Sequence, residues 1–134
     1  MSKVLGIDWG EKRMGIAISD ELKILAKPLR TLESKNVEDL LEILKEEKVE
    51  EIVIGRPRNM DGSLGVQAEK VFKFSSKLEK LTKIPIVYED ETNTTKVVKS
   101  MLIKEGLNPQ KNIDLVNKKS AQLILQGYLN EKNK

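Results

Sequence analysis

Two apolar runs open the chain, KVLGIDW at residues 3–9 and RMGIAIS at 13–19, with only three residues between them. That spacing allows little besides two antiparallel strands joined by a tight turn, with Gly10 supplying the backbone freedom the turn needs. A third run, ILAKPLRT at 24–31, carries Pro28, which has no N–H to donate to a ladder and so belongs at a sheet edge. The three runs together predict an antiparallel meander.

The period then changes. In NVEDLLEILKEEK the apolar residues Val37, Leu40, Leu41 and Leu44 fall at i, i+3, i+4 and i+7, one face of a helix that Ser34 or Asn36 can cap. EEIVIG, a continuous apolar run ending at Gly55, suits a central strand covered on both faces. RPRNMDGSLG is a loop by its Pro, Gly, Asn and Asp content. A helix through Leu81 follows, with Val71, Phe74, Leu78 and Leu81 on one stripe. IPIVYEDE is a strand starting near Pro85. TTKVVKSMLIKEG is a helix capped by Asn93 or Thr94 and stopped by Gly106, LNPQKN is a loop, and a last helix runs from about Leu115 to Leu129. The order β-β-β-α-β-α-β-α-α predicts an α/β fold: a central mixed five-stranded sheet, the meander plus two parallel strands, flanked by helices. No linker or repeat divides residues 1–134, so a single domain is expected.

Composition narrows the chemistry. At 134 residues, 39% hydrophobic and 34% charged, the chain can bury a core without disulfides. It has neither cysteine nor histidine, which removes thiolate chemistry, a Ser-His triad and a His-ligated zinc. Catalysis must then use carboxylates, hydroxyls, lysines, arginines or a metal held by oxygen. The first residues already read as a strand, and no apolar run approaches the about 20 residues of a membrane span, so a soluble, cytoplasmic protein is expected. The net charge is +3, and residues 91–134 carry 8 lysines against 4 acids. That excess permits a nucleic-acid face but equally describes a solvated lysine-rich surface. Aromatics are only 4%, so base stacking is not expected to dominate single-strand recognition.

Against that background, Asp8 is the anomaly. A carboxylate among Val4, Leu5, Ile7 and Trp9 is costly to desolvate unless a cation sits beside it or it merely opens an Asx-type turn before Gly10. Asp90 and Glu91 close the last strand, and sites in such sheets collect at strand ends. Asp90 is read as an acid favouring the positive end of the following helix. Asn117 shares a stripe with Ala121, Ile124 and Tyr128, so its amide points toward the sheet and needs partners. If Asp8, Glu91 and Asn117 converge, their oxygens select a hard cation, Mg²⁺ or Mn²⁺, which keeps waters and accepts phosphate oxygens. Two such ions can hydrolyse a phosphodiester without cysteine or histidine. Arg56 and Arg58, in a Gly/Pro loop after a core strand, and Lys12 and Arg13, in the first turn, are candidate phosphate contacts, or else simply solvated.

GIDWGEKRMGIAISD, AKPLRTL, IVIGRPRNMDGSLGVQA, EDETNTT and KKSAQLILQGYL together resemble the YqgF/RuvX family, pre-16S ribosomal RNA nucleases earlier described as Holliday junction resolvases. The resemblance covers nearly the whole chain in order, and NMDGSLGVQA is its most specific stretch. It implies a ribonuclease H-like fold and a role in maturing the 5′ end of the small-subunit ribosomal RNA. It makes Asp8 the first metal-binding carboxylate and Glu91 the second, with Asn117 at the third catalytic and metal position. Arg13, Arg56, Arg58, Lys12 and Asn59 would contact nucleic acid. The implied partners are structured nucleic acid, RNA ahead of branched DNA, and a pre-ribosomal particle, with no membrane and a monomer or weak homodimer.

Two residues depart from the family pattern: Thr92 stands where the motif has Arg, and Asn117 stands where it has a third carboxylate. An amide oxygen ligates a hard cation but brings no charge, which predicts a nuclease that is weak or strongly dependent on metal concentration. Asp114, one turn earlier, either substitutes in part or caps the last helix. Three other readings compete. A resolvase of branched DNA should be a symmetric dimer. An RNA- or ribosome-binding module with an inactive metal site would bind in a chelator. GIDWGEKRMGIAI also resembles the phosphate hairpin of sugar kinases and actin-like ATPases, but those need two such domains.

Overall fold

The computed structural model describes residues 2–58, 63–91 and 94–134. Asn59, Thr92 and the candidate cap Asn93 lie outside the described residues.

The strands are β1 (Lys3–Trp9), β2 (Arg13–Ser19), β3 (Ala26–Glu33), β4 (Val49–Pro57) and β5 (Ile86–Glu91). The helices are α1 (Val37–Glu46), α2 (Val66–Leu81), α3 (Thr94–Lys104) and α4 (Ile113–Lys132), with one 3₁₀ turn at Pro109–Lys111. The sheet order is β3-β2-β1-β4-β5. β1 pairs antiparallel with β2 and parallel with β4, β2 pairs antiparallel with β3, and β4 pairs parallel with β5. The expected five-stranded mixed sheet is therefore present, with the Pro28 strand at its edge. No helix among the described residues is long and apolar enough to cross a membrane.

The two faces of the sheet carry different residue sizes. Leu5, Ile7, Ile16, Ile18, Ile52 and Ile54 point to the side covered by α1 and α2, where they pack on Leu40, Leu44, Val71, Phe74 and Leu78. The alternate positions, Val4, Ala17 and Val53, meet Ala121, Ile124, Leu125 and Leu129 of α4. Gly6 and Gly15 share this second face, and a Cβ on either would run into α4. Small residues on one face let α4 lie close against β1 and β2. α3 packs on the outside of α4 through Val98, Leu102 and Val116.

The ends of the elements show local chemistry. Asn36, not Ser34, caps α1: its Oδ1 accepts from the Asp39 amide at 3.2 Å, while its Nδ2 donates to the Asp39 carboxylate at 2.9 Å. Ser34 is buried and donates to the Gly10 carbonyl, which ties the end of β3 to the β1–β2 turn. Leu81, the last residue of α2, is 55% exposed and does not join the buried stripe of Val71, Phe74 and Leu78. α4 begins two residues before the expected Leu115, with Asn112 at the capping position. Asp114 is thus in the first helical turn rather than at the cap, where its charge suits the positive helix end.

Candidate active site

β1, β4 and β5 run parallel, so their C-terminal ends lie side by side. Period-2 alternation decides what each end presents. On β1, Gly6 and Asp8 face α4, while Ile7 and Trp9 face α2. Gly55 of β4 and Glu91 of β5 also face α4: a Cβ on Gly55 would come within 2.6 Å of Ile124 Cδ1 and 2.8 Å of Glu91 Oε2. Gly55 stands one residue beyond the last β1–β4 pair, Ile7–Ile54, which puts it beside Asp8. The missing side chain at 55 leaves the space that the Glu91 carboxylate occupies next to Asp8.

The third contributor comes from α4. Asp8 pairs with Gly15 on β2, and the backbone of Asn117 passes directly over Gly15. Asp8, Glu91 and Asn117 consequently line one cavity of about 280 Å³, together with Arg13, Gln67 and Thr95.

Its electrostatics differ from those of the neighbouring surface. Burial, and then the nearby Glu91 charge, push the Asp8 carboxyl from 3.8 up to about 8. Burial also raises Glu91, and Glu91 Oε2 is buried with no hydrogen-bond partner among the described residues. Asp90, the adjacent residue, behaves oppositely. Its Oδ1 accepts from Arg56 at 2.6 Å and its Oδ2 lies 2.9 Å from Arg58 Nε, and the Arg56 hydrogen bond holds its carboxyl below the ordinary value. Adjacent carboxyls pushed in opposite directions mark a paired surface group beside two enclosed ones that have no ion pair among the described residues.

Two carboxylates with no ion-pair partner among the described residues and a nearby amide form a donor set suited to a hard divalent ion, with water completing the shell. Among the described residues no group of three acids, histidines or cysteines gathers to hold a metal; in the cavity lining the two acids Asp8 and Glu91 are joined by the uncharged Asn117.

The other sequence candidates are placed as follows. Arg13 lines the cavity and lies 3.9 Å from Asp114, both largely exposed. Arg56 and Arg58 sit outside it, on the β4–β5 edge, engaged with Asp90 because Arg56 and Asp90 are register partners. Asp90 is therefore an arginine partner, which the sequence reading did not foresee. Lys12 is exposed in the turn, where its carbonyl accepts from the Ser34 amide. Sequence reasoning missed Gly15, Gly55, Gln67 and Thr95. The glycines carried a legible signal, since each falls on the same alternate face as an acid of the site.

Known proteins resemble the chain over nearly its whole length. The family model described as "RuvX: Holliday junction resolvase" matches residues 2–131. A protein from Syntrophus aciditrophicus named "Putative pre-16S rRNA nuclease" is 41% identical over 131 residues, covering 95% of this chain and 87% of its own. One of the same name from Caldanaerobacter subterraneus is 43% identical, covering 95% of each. Among solved structures, Thermus thermophilus RuvC in complex with a Holliday junction substrate is similar with a TM-score of 0.56 at 14% identity, over 98% of this chain and 96% of that one. The yeast mitochondrial Holliday junction resolvase Ydc2 gives 0.54 at 14% identity, over 96% and 78%. At such identities the structures speak to the fold alone.

Proposed function

Because the chain belongs to the RuvX family, we propose that it is a divalent-metal-dependent nuclease that hydrolyses phosphodiester bonds in precursor 16S ribosomal RNA, working in the cytoplasm. The observation that carries this reading is the pair of largely enclosed carboxylates, Asp8 and Glu91, with no ion-pair partner among the described residues, sharing a cavity with Asn117 at the ends of parallel strands.

Asp8, Glu91 and Asn117 would hold Mg²⁺ or Mn²⁺. A divalent ion bound there supplies Lewis acidity, favouring attack by water on the phosphorus and offsetting charge on the departing oxygen. The residues of the chain do the rest. Arg13, in the cavity wall, offers guanidinium N–H groups to a non-bridging phosphate oxygen. Arg56 keeps N–H groups beyond the one that Asp90 takes, and with Arg58 and Lys12 it extends the contact along the backbone. Gly55 keeps the Glu91 carboxylate beside Asp8, and α1, α2 and α4 exclude bulk water from the sheet beneath.

The absent third charge has a measurable consequence. Cation affinity rises with ligand charge. Asn117→Asp is expected to lower the metal concentration for half-maximal cleavage by about tenfold or more. Unchanged metal dependence would remove Asn117 from the ligand set.

The deciding experiment measures cleavage of precursor 16S RNA and of a four-way DNA junction, in Mg²⁺ and in Mn²⁺, by the wild type, Asp8→Asn and Asn117→Asp. Metal-dependent cutting of the RNA, lost in Asp8→Asn, is expected. Symmetric cutting of the junction by a dimer, with the RNA untouched, would replace this reading with resolution of branched DNA. RNA binding in a chelator, with no cleavage at millimolar Mn²⁺, would replace it with a binding module.

A further inference from the structure

Trp9 lies on the opposite face of β1 from Asp8, yet the residue borders the metal-site cavity and also lines a second, larger one of about 490 Å³. In that second cavity Trp9 stacks on Phe74, with ring centroids 5.8 Å apart and 28° between planes. Around this aromatic floor stand Lys35, from the β3–α1 connection, and Lys70, Lys73 and Lys77 of α2. The single acid in the lining is Glu11, which is ion-paired with Lys70. Among the described residues Lys35, Lys73 and Lys77 form no ion pair.

Lysines on an exposed helix face are ordinarily a solvated surface. Two features set these apart. The three α2 lysines, at i, i+3 and i+7, border a concave aromatic pocket instead of a flat face. The pocket also shares a wall with the proposed cleavage site. From Lys70 to Lys77 the helix rises about 10 Å, the length of roughly three stacked nucleotides. Lysine ammonium groups track a phosphate backbone without reading sequence, and an aromatic face accepts any base.

We propose that this cavity holds a single-stranded segment of the substrate RNA adjoining the cut bond, with a base against Trp9 and phosphates against Lys35, Lys73 and Lys77. The proposal rests on the nuclease reading for the identity of the strand. Electrostatics dominate and one aromatic contact suffices, consistent with so few aromatic residues in the chain.

Trp9 is the sole tryptophan, so its fluorescence reports occupancy directly. The probe is a short single-stranded oligoadenylate RNA, titrated in EDTA so that cleavage plays no part. Binding is expected to quench the fluorescence. The double variant Lys73→Ala/Lys77→Ala should weaken affinity about tenfold and reduce the salt slope by about 1.4. A control with the same charge change at the far end of the sheet, Lys45→Ala/Lys132→Ala, should stay within about threefold. Both pairs are exposed, and unchanged melting temperatures confirm intact folding.

Absence of quenching, or equal weakening by both double variants, overturns the proposal. Wild-type KM for RNA cleavage in Lys73→Ala/Lys77→Ala overturns it too, and leaves the nuclease reading standing. Lysine-dependent quenching in a protein that cuts nothing supports the cavity as a strand site and removes the nuclease.

Discussion

Asp8→Asn is expected to melt about 5–10 °C above the wild type in EDTA at pH 8, while losing cleavage by on the order of a thousandfold or more. The two effects have one cause. Without a cation, Asp8 and Glu91 place like charges in a buried site, and burial and then Glu91 raise the Asp8 carboxyl from 3.8 to about 8. A group whose folded-state value lies above its unfolded one contributes stability that is fully present below the unfolded value. That contribution is lost as pH rises through the folded value. The metal-free wild type should therefore lose stability between about pH 4 and pH 8, relative to Asp8→Asn, and the two should converge near pH 4. On the order of 2 kcal/mol is expected at pH 8, well below the full shift, because relaxation and water entry soften such a pair. Millimolar Mn²⁺ should raise the wild-type melting temperature and leave Asp8→Asn unmoved, since stabilisation by a ligand requires binding to the folded state. Thermal melts across pH with EDTA or Mn²⁺ check this. Parallel pH profiles for the two proteins would show that Asp8 is not held beside Glu91 in the way described.

The meeting of Asp8 and Glu91 was legible in the sequence because strand ends are countable. Seven residues from Lys3 to Trp9 fix which face Asp8 takes, and the βα order places a later strand alongside. Asn117 was legible through its 3.6-residue stripe with Ala121 and Ile124. What was not legible depended on register between segments far apart. Arg56 and Asp90 are 34 residues apart, and only the parallel pairing of β4 with β5 makes them partners. Sequence alone offered Arg56 and Arg58 as phosphate contacts or solvated arginines, and Asp90 as a helix-end charge. The start of α4 was misjudged because Ile113 and Asp114 precede the buried stripe. The helix runs one half-turn beyond its apolar face, with Asn112 at the capping position but making no side-chain cap hydrogen bond there. The face of the site glycines was legible from strand alternation, but their purpose was not, for a related reason. A glycine in a strand declares its purpose only when the element crossing it is known, and Gly10 was readable because a tight turn needs no distant partner.

Gly15→Ala is expected to be the most damaging small substitution in the protein, costing about 3–5 kcal/mol and lowering activity even in the fraction that folds. Gly15 sits on β2 opposite Asp8, and the backbone carbonyl of Asn117 crosses it so closely that a Cβ would overlap that oxygen. The obstacle is main chain, so no rotamer change relieves it, and α4 must tilt away from the sheet. Tilting separates Ala121, Ile124 and Leu125 from Val4, Ala17 and Val53, and it carries Asn117 off the line of Asp8 and Glu91. Gly6→Ala is the graded comparison. There the new Cβ would meet Leu125 Cβ at 2.8 Å and the Ala121 carbonyl at 3.3 Å, so part of the contact is side chain that can shift by tenths of an ångström. The expected order of destabilisation is Gly15→Ala above Gly6→Ala, read as midpoints of chemical denaturation. Metal affinity should fall more in Gly15→Ala, because only that substitution acts on the turn of α4 that carries Asn117. Equal stabilities for the two variants, or a Gly15→Ala protein with wild-type metal affinity, would mean that the close seat of α4 on β2 does not position the site.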